Sequence, residues 1–538
     1  MKAATDAAMV QKFGGGTGFS LSKIRPKGDR IKTTHGIACG PIEVLKTLSR
    51  VSSMITQGGK RDGANMAVMS VYHPDILEFI SCKSIEGDIH NFNISVGVDS
   101  HWMGCVVNGL DYNLINPHTN QITGQLNAKD VFDQIIDGAW LNGEPGMIFL
   151  DAVNRDNHVI DTYGEMIATN PCGEQPLLGN ESCNLGSINL AEFFVLKDIQ
   201  ITQDPWWKVQ INWDRLEKVT KLSTRFLDNI IDANKYATPE IEHMTKATRK
   251  IGLGIMGFSD LLTQLRISYN SGLARKVGKE IISNIKKWAD DESLDLAVQR
   301  GTFPAWEDSN FDKVTEAYRN ACRLSVAPTG TISMLADCSS GIEPIFALAW
   351  KKQNILEGKS FNYVNKYFKR DAEEYDFYSE ELMNYLANGG SLQNTPFEIP
   401  SWVKRVYITA PDISPEDHVL MQSTFQKYVD SGISKTINFA NNASVDDVRN
   451  AYLLAWKRKC KGITVYRAGS REKEVLVKGT NDGNQLELTL PLTKEEDSEI
   501  NYNDNGINSQ DCCDNPYIVM EAGCETCKSC AWSACIIA

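Results

Sequence analysis

Asn170, Cys172 and Glu174 alternate along one short run, Asn170-Pro171-Cys172-Gly173-Glu174, and a second thiol, Cys183, follows eleven residues after the first. In an extended or loop conformation, alternating positions project to one side of the chain. An amide, a thiol and a carboxylate can then address one small space. Such a set suits a reaction that needs a sulfur reactant, a carboxylate to handle a proton, an amide to orient a substrate and thiols to deliver two electrons. Taken alone, Pro-Cys-Gly equally suits a turn around a buried structural cysteine.

Other segments have the composition of ligand loops. Gly14-Gly15-Gly16-Thr17-Gly18 permits close backbone approach. It fits neither Walker A spacing nor a full G-x-G-x-x-G, because Phe19 takes the last position. Ala327-Pro328-Thr329-Gly330-Thr331-Ile332-Ser333 combines small residues, hydroxyls and free N–H groups. It is an anion cradle if it opens a helix, or an ordinary capping turn. Six of the fourteen cysteines fall in the last 27 residues. Cys524 and Cys527 have zinc-knuckle spacing, with Cys512 and Cys513 available to complete four thiolates. A plain zinc ribbon built from four of the six leaves two thiols to explain.

The elements that must position these groups are those of a globular α/β protein. At 538 residues, 42% hydrophobic and 23% charged, the chain suits one large catalytic domain or several ordinary ones. No apolar run reaches the roughly 20 residues that span a bilayer. The start, Met1-Lys2-Ala3-Ala4-Thr5-Asp6, lacks the apolar core of a signal peptide, so a cytoplasmic location is expected. A net charge of -13 argues against a broad nucleic-acid surface. Clustered cysteines then point to metal or redox chemistry rather than a disulfide scaffold. Strand runs at Met66–Val71 and Phe92–Val98 alternate with helical patterns at Trp213–Ala233 and Gly278–Arg300, which predicts parallel strands in an α/β architecture. Lys478–Gln510, rich in Asn, Asp, Glu and Gly, reads as a flexible linker. The expected domains are 1–475, a linker over 476–511, and a Cys-rich tail over 512–538.

Asn170 to Leu190, NPCGEQPLLGNESCNLGSINL, resembles the finger-loop sequence of the ribonucleotide reductase large subunit, in wording most like the adenosylcobalamin-dependent class II enzymes. Further blocks occur in the family's order: Gly14–Asp29, Gly58–Ile80, Asn91–Val96, Arg249–Phe258, Ala327–Glu343, Ser434–Phe439 and Gly462–Arg471. The resemblance implies a ten-stranded barrel of two parallel five-stranded halves, with the Cys172 loop threaded through its centre. It implies that Cys172 carries a thiyl radical, that Glu174 takes the 3′-hydroxyl proton, and that Asn170 orients the hydroxyls. Cys183 is then one member of the reducing pair, and Cys530 and Cys535 are the swinging dithiol that thioredoxin or glutaredoxin reduces. Gly15, Gly16, Ala38, Cys39, Pro171, Gly173 and Pro328 to Ile332 (Thr329, Gly330 and Thr331 between) would line the ribonucleotide site. Arg25, Arg30, Lys60, Arg61 and Asn65 would serve a deoxynucleotide or ATP effector, with Asp62 standing where a second basic residue is common.

Class I enzymes need a radical-relay tyrosine pair, and no Tyr-Tyr dipeptide occurs here, which favours adenosylcobalamin. A D-x-H-x-x-G motif is nearly present at Asp88-Ile89-His90, but Asn93 replaces the glycine. Family members carry an N-terminal helical region and a strand with the first redox cysteine ahead of the glycine loop. Met1 falls just before that loop, so the expectation is a fragment, an inactive remnant, or one part of a split, homodimeric enzyme completed by an N-terminal fragment in trans. Cys39 is a poor stand-in for the absent cysteine.

Overall fold

The computed structural model describes residues 1–470 except 33–34, 58–60, 85–88, 197–204, 314–316 and 356–358, together with 518–521 and 524–527. Its strands form where apolar runs are covered on both faces. β1 (Thr17–Ser20), β2 (Asn65–Ser70), β3 (Phe92–Val98) and β4 (Gly146–Phe149) lie side by side in parallel. All of β4 and nearly all of β2 and β3 are buried, the pattern of parallel strands packed on both sides. β5 (Asn184–Asn189) and β6 (Ile251–Met256) form a separate parallel pair, in register from Asn184↔Ile251 to Asn189↔Met256. β7 (Thr436–Phe439) runs parallel to β8 (Gly462–Arg467), and β8 runs antiparallel to β4.

Single parallel bridges connect these sets. Leu253↔Leu324 joins β6 to the 323–326 segment, and Val326↔Ile433 joins that segment to the lead-in of β7. The hydrogen-bonded succession is therefore four parallel segments (β1 to β4) followed by five running the other way: β8, β7, 323–326, β6 and β5. Among the described residues the succession ends at β1 and β5 and does not close. The α/β class expected from the sequence is present; the ten-stranded closed barrel is not, because one segment of the first half is absent from the succession.

Helices cover the strands. α1 (Lys2–Lys12) leads into the glycine loop. α2 (Trp213–Ala233) buries Leu216, Thr220, Thr224, Leu227 and Ile231, one face of a 3.6-residue period, and Asn212 caps it by accepting the Arg215 N–H. It matches the predicted span. α3 (Gly272–Arg300) begins six residues before the predicted start, because Ser271 accepts the Ala274 N–H and sets the cap there. These two helices share a core with β5 and β6, through Leu227, Ile231, Ile281, Ile285, Leu253 and Ile255. A distinct core beneath β2 to β4 contains Met69, Phe92, Val96, Trp102, Phe132 and Ile135. α4 (Gly330–Leu335) is short, and α5 (Pro415–Gln426) lies against the strands through its buried His418, Gln422 and Gln426. No helix among the described residues is long and apolar enough to cross a membrane.

Contacts divide the chain into two units, Met1–Leu490 and Pro491–Ala538. In the second, Ile518–Glu521 pairs antiparallel with Cys524–Cys527, so Cys524 and Cys527 begin and end one hairpin strand. The expected linker over 476–511, and Cys512, Cys513, Cys530 and Cys535, lie outside the described residues. Among the described residues no cluster of three or more His, Cys, Asp or Glu could hold a metal.

His158 stacks on Phe311 with ring centroids 3.7 Å apart, and burial, reinforced by the Arg323 charge, lowers its pKa to about 4. The unfolded chain takes up that proton near pH 6.5. The folded state thus binds fewer protons between the two values, and stability is lost as pH falls through that window. Thermal melts should show the midpoint dropping by several degrees from pH 6.5 to 4, with a shallower slope in His158→Asn.

Candidate active site

The Asn170–Glu174 run is the tip of a hairpin. Ala168 and Thr169 pair antiparallel with Leu177 and Pro176. Inside the turn the Asn170 Oδ1 accepts the Gln175 N–H at 3.0 Å, and the Asn170 carbonyl accepts the Gly173 N–H at 3.1 Å. Gly173 has φ +80°, a conformation that side chains resist, so the glycine beside the thiol is needed for the turn.

Strands of both halves hold this tip. The Asn93 amide on β3 donates to the Pro171 carbonyl at 2.8 Å. The Glu174 carbonyl accepts two donors, the Gly432 N–H at 2.8 Å and the Ser325 hydroxyl at 2.9 Å. Ser431 donates to Gln175 Oε1 at 3.2 Å. Approach is close because small residues line the path: a Cβ on Gly16 would fall 2.8 Å from the Pro171 ring, and one on Gly18 would overlap the Thr169 carbonyl. The glycine loop also terminates α1, with Gly14 and Gly15 donating to Gln11 and Val10 carbonyls. Its small size serves the hairpin first.

Cys172 is exposed at the tip and lines a cavity with Met66, Gln422, Lys435 and Thr464. Glu174 is 2% exposed, and its Oε2 is a buried oxygen without a hydrogen-bond partner. Burial raises its pKa, opposed by a hydrogen bond from Asn170. The hairpin therefore carries a desolvated, half-satisfied carboxyl two residues after an accessible thiol. Gln422 Oε1, on the same cavity, also lacks a partner.

Cys183 immediately precedes β5, and its thiol points to the Asn184 carbonyl at 3.4 Å. Burial, and then the neighbouring Cys322 thiol, raise its pKa well above the usual range. The turn before it is fixed by a buried pair: Lys250 donates to Glu181 at 2.8 Å, and Glu181 also accepts from Thr248 and from the Leu178 N–H. Asn184 aligns with Ile251, whose N–H binds the Cys322 carbonyl, so Cys322 sits two strands away. Two strand spacings are roughly 9–10 Å, beyond the reach of a disulfide without backbone movement.

The remaining expected residues are spread along the chain. Gly330, Thr331 and Ile332 are exposed at the start of α4, while the Thr329 hydroxyl accepts the Gly341 N–H at 2.8 Å. Cys39 is exposed, with its thiol toward the Gly40 carbonyl, and Ala38 pairs through its backbone with Asp29 and Gly28. Arg25 donates to the Arg30 carbonyl and meets His118 at 3.1 Å. Arg61 lies in a short strand paired with Gln57; Lys60 lies outside the described residues. Asn65 is buried, accepting from Gln11 and donating to Ser52, Gly63 and Asn91. Its amide groups are satisfied within the protein and support the loop.

Residue-by-residue reading of the sequence missed Asn93, Ser325, Gln422, Gly432 and Lys435. The i, i+4 spacing of His418, Gln422 and Gln426 on a buried helix, and a lysine opening an apolar strand, were the available signals.

Gly432 offers the sharpest test of this geometry. A Cβ there would overlap the Gly173 carbonyl and lie 3.0 Å from the Glu174 Cα, both backbone atoms that cannot swing aside. Gly432→Ala should displace the hairpin tip while leaving the fold intact. Faster alkylation of Cys172 and faster amide exchange over 170–175, at a near-normal melting temperature, are the expected outcome.

A family model described as the ribonucleotide reductase barrel domain matches residues 1–466. The chain is 46% identical, over 88% of its length, to a vitamin B12-dependent ribonucleoside-diphosphate reductase of Thermoplasma acidophilum. It is 44% identical, over 87% of its length, to one from Mycobacterium tuberculosis. It spans 60% and 64% of those two proteins. The fold is similar to the class Id ribonucleotide reductase alpha subunit of Actinobacillus ureae, with TM-score 0.69 and 23% identity over 87% of this chain and 81% of that one. With a match covering most of its length, the hairpin thiol and the open strand succession are those of a member of the ribonucleotide reductase barrel-domain family.

Proposed function

We propose that this chain is the catalytic part of an adenosylcobalamin-dependent ribonucleoside-diphosphate reductase. The observation that carries the reading is the accessible Cys172 thiol beside the buried, half-satisfied Glu174 on one pinned hairpin. The names of its relatives support the cofactor and the diphosphate substrate. In this reading the hairpin is the finger loop, and a tenth strand between β1 and β5, supplied from outside the described residues, closes the barrel and brings the thiol that pairs with Cys183. The enzyme works as a cytoplasmic homodimer.

The Cys172 cavity fits the cofactor's reactive end: it holds the thiol, and the unpartnered Gln422 Oε1 stands ready to accept a hydroxyl or amine. Adenosylcobalamin, when bound, supplies the one-electron chemistry that removes the hydrogen atom from the thiol. Cys172 then takes the 3′-hydrogen of the ribose. Glu174, as carboxylate, accepts the 3′-hydroxyl proton on Oε2, and Asn170 holds the hydroxyls in line. Loss of the 2′-hydroxyl as water leaves two electrons to be supplied, one thiol of the pair being Cys183. The substrate phosphates rest on Pro328 to Ile332, with Gly15, Gly16, Ala38 and Cys39 along the nucleoside. Cys530 and Cys535 carry reducing equivalents from thioredoxin or glutaredoxin, and Cys512, Cys513, Cys524 and Cys527 hold zinc in the tail. Arg25, Arg30, Lys60 and Arg61 serve the effector, with Asn65 supporting them.

Cys172→Ser should abolish ribonucleotide reduction, assayed with adenosylcobalamin, a ribonucleoside diphosphate, a dithiol and an N-terminal fragment in trans, while the melting temperature stays unchanged. Retained turnover in that variant would remove the radical assignment.

Because burial raises the Glu174 pKa, its base form accumulates only above the ordinary carboxylate range. The acid limb of the pH–rate profile should therefore lie above pH 4.5 and vanish together with most of the activity in Glu174→Gln.

Cys530→Ser or Cys535→Ser should stop turnover with thioredoxin but spare turnover with a small dithiol. Equal loss with both reductants would make these cysteines structural.

A further inference from the structure

Lys435 lines the Cys172 cavity, yet its ammonium is buried and fully occupied. It donates to Glu343 Oε2 at 2.6 Å, to His418 Nδ1 at 3.0 Å and, more weakly, to the Thr436 carbonyl at 3.4 Å. An ammonium has three N–H donors, so none remains for a substrate. Burial, and then the Lys435 charge, hold His418 neutral. Its Nδ1 accepts from Lys435, and its Nε2–H donates to the Ala410 carbonyl at 3.3 Å. Glu343 completes the arrangement by accepting the Thr436 N–H on Oε1 at 2.7 Å.

These contacts converge on five residues, 432–436. At one end Gly432 donates to the Glu174 carbonyl and so grips the thiol hairpin. The same residues hold both ends of the 327–343 segment. Gly432 accepts the Val326 N–H at 3.3 Å and Ser434 donates to the Val326 carbonyl at 2.8 Å, while Lys435 and Thr436 hold Glu343. A methionine could fill the same space without desolvating a charge, so an ion pair kept here needs a role that packing does not supply.

We propose that Lys435 is a positioning residue: pinned by Glu343 and His418, it fixes the 432–436 segment as a shared clamp that registers the 327–343 loop against the Cys172 hairpin. This deepens the reading above, in which that loop binds the substrate phosphates. The clamp sets the distance between the phosphates and the attacking sulfur, where about 1 Å of misplacement costs about a hundredfold in rate.

The test uses the full chain with Lys435→Met, Glu343→Gln and the double variant, and Arg225→Met as a control that removes the Arg225–Glu292 pair between α2 and α3. Amide exchange by mass spectrometry should quicken about tenfold over both 170–175 and 327–343 in each variant, the double being no worse than the singles because both break one unit. A ribonucleoside diphosphate should bind about tenfold more weakly, a ribonucleoside within about twofold of normal, and the control should change neither. Wild-type exchange rates in a folded variant, or quickening of one segment only, would overturn the clamp. If Lys435→Met fails to fold, Glu343→Gln, a neutral isostere, decides. A wild-type chain that binds the diphosphate no better than the nucleoside would sink the nucleotide reading, while the exchange data still judge the clamp.

Discussion

A loop carried among strands must find partners for its backbone carbonyls, or each costs roughly 1–3 kcal/mol. That constraint organises this molecule. The 170–175 hairpin satisfies it with groups that strands do not normally spare: an asparagine side chain on β3, a serine hydroxyl in 323–326, and the N–H of Gly432. Two of those donors, Ser325 and Gly432, come from segments that touch their neighbours through single bridges, while Asn93 comes from a fully laddered strand. A regular strand of the first half and irregular segments of the second thus share in holding the loop. Gly16, Gly18 and Gly432 supply the room, since a side chain at any of them would meet the hairpin's own atoms.

Buried ion pairs do the rest of the fixing, several of them in closed sets. Arg249 binds Asp228 and Asp232, and Asn320 completes the Asp228 carboxylate. Arg323 meets Asp290 at 2.8 Å. Removing one member of such a set leaves its partner uncompensated, at about 3–5 kcal/mol, whereas the intact set contributes little net stability. What the sets contribute is register. Lys250 with Glu181 fixes the turn before Cys183, and Lys435 with Glu343 and His418 fixes the ends of the 327–343 loop. In both places the charges stand beside a thiol segment rather than inside it.

The sequence made the strands β2 and β3, the helix α2 and the reactive run legible, because periodicity and a dense block of polar types are local properties. The start of α3 lies six residues ahead of the expected one, and the Ser271 cap is what marks it. The closed barrel belonged to the resemblance, and the described residues stop one segment short of it. Asn65 shows what a local reading leaves out: its neighbours Gln11, Ser52 and Asn91, distant in sequence, absorb its amide groups. Long-range partners of this kind leave no local trace. The polar stripe on α5 was visible as a spacing, but its meaning required knowing that strands lie opposite.

Cysteine placement follows one physical rule throughout. Burial pushes the thiols of Cys82, Cys322 and Cys460 up to about 12, so at neutral pH they are protonated and poor nucleophiles. Among the cysteines of known burial, Cys39 and Cys172 are exposed, and Cys172 shares its hairpin with the buried carboxyl of Glu174. Cys183 falls between the two groups: half-buried, its thiol strongly protonated, and held by a turn that the Lys250–Glu181 pair keeps rigid. A thiol in that state resists stray oxidants, because attack on a disulfide or peroxide needs the thiolate. Burial blocks ionic chemistry at such a thiol by withholding the thiolate, but it does not strengthen the sulfur–hydrogen bond against homolysis, so the proposed reductive role and the burial of Cys183 are compatible.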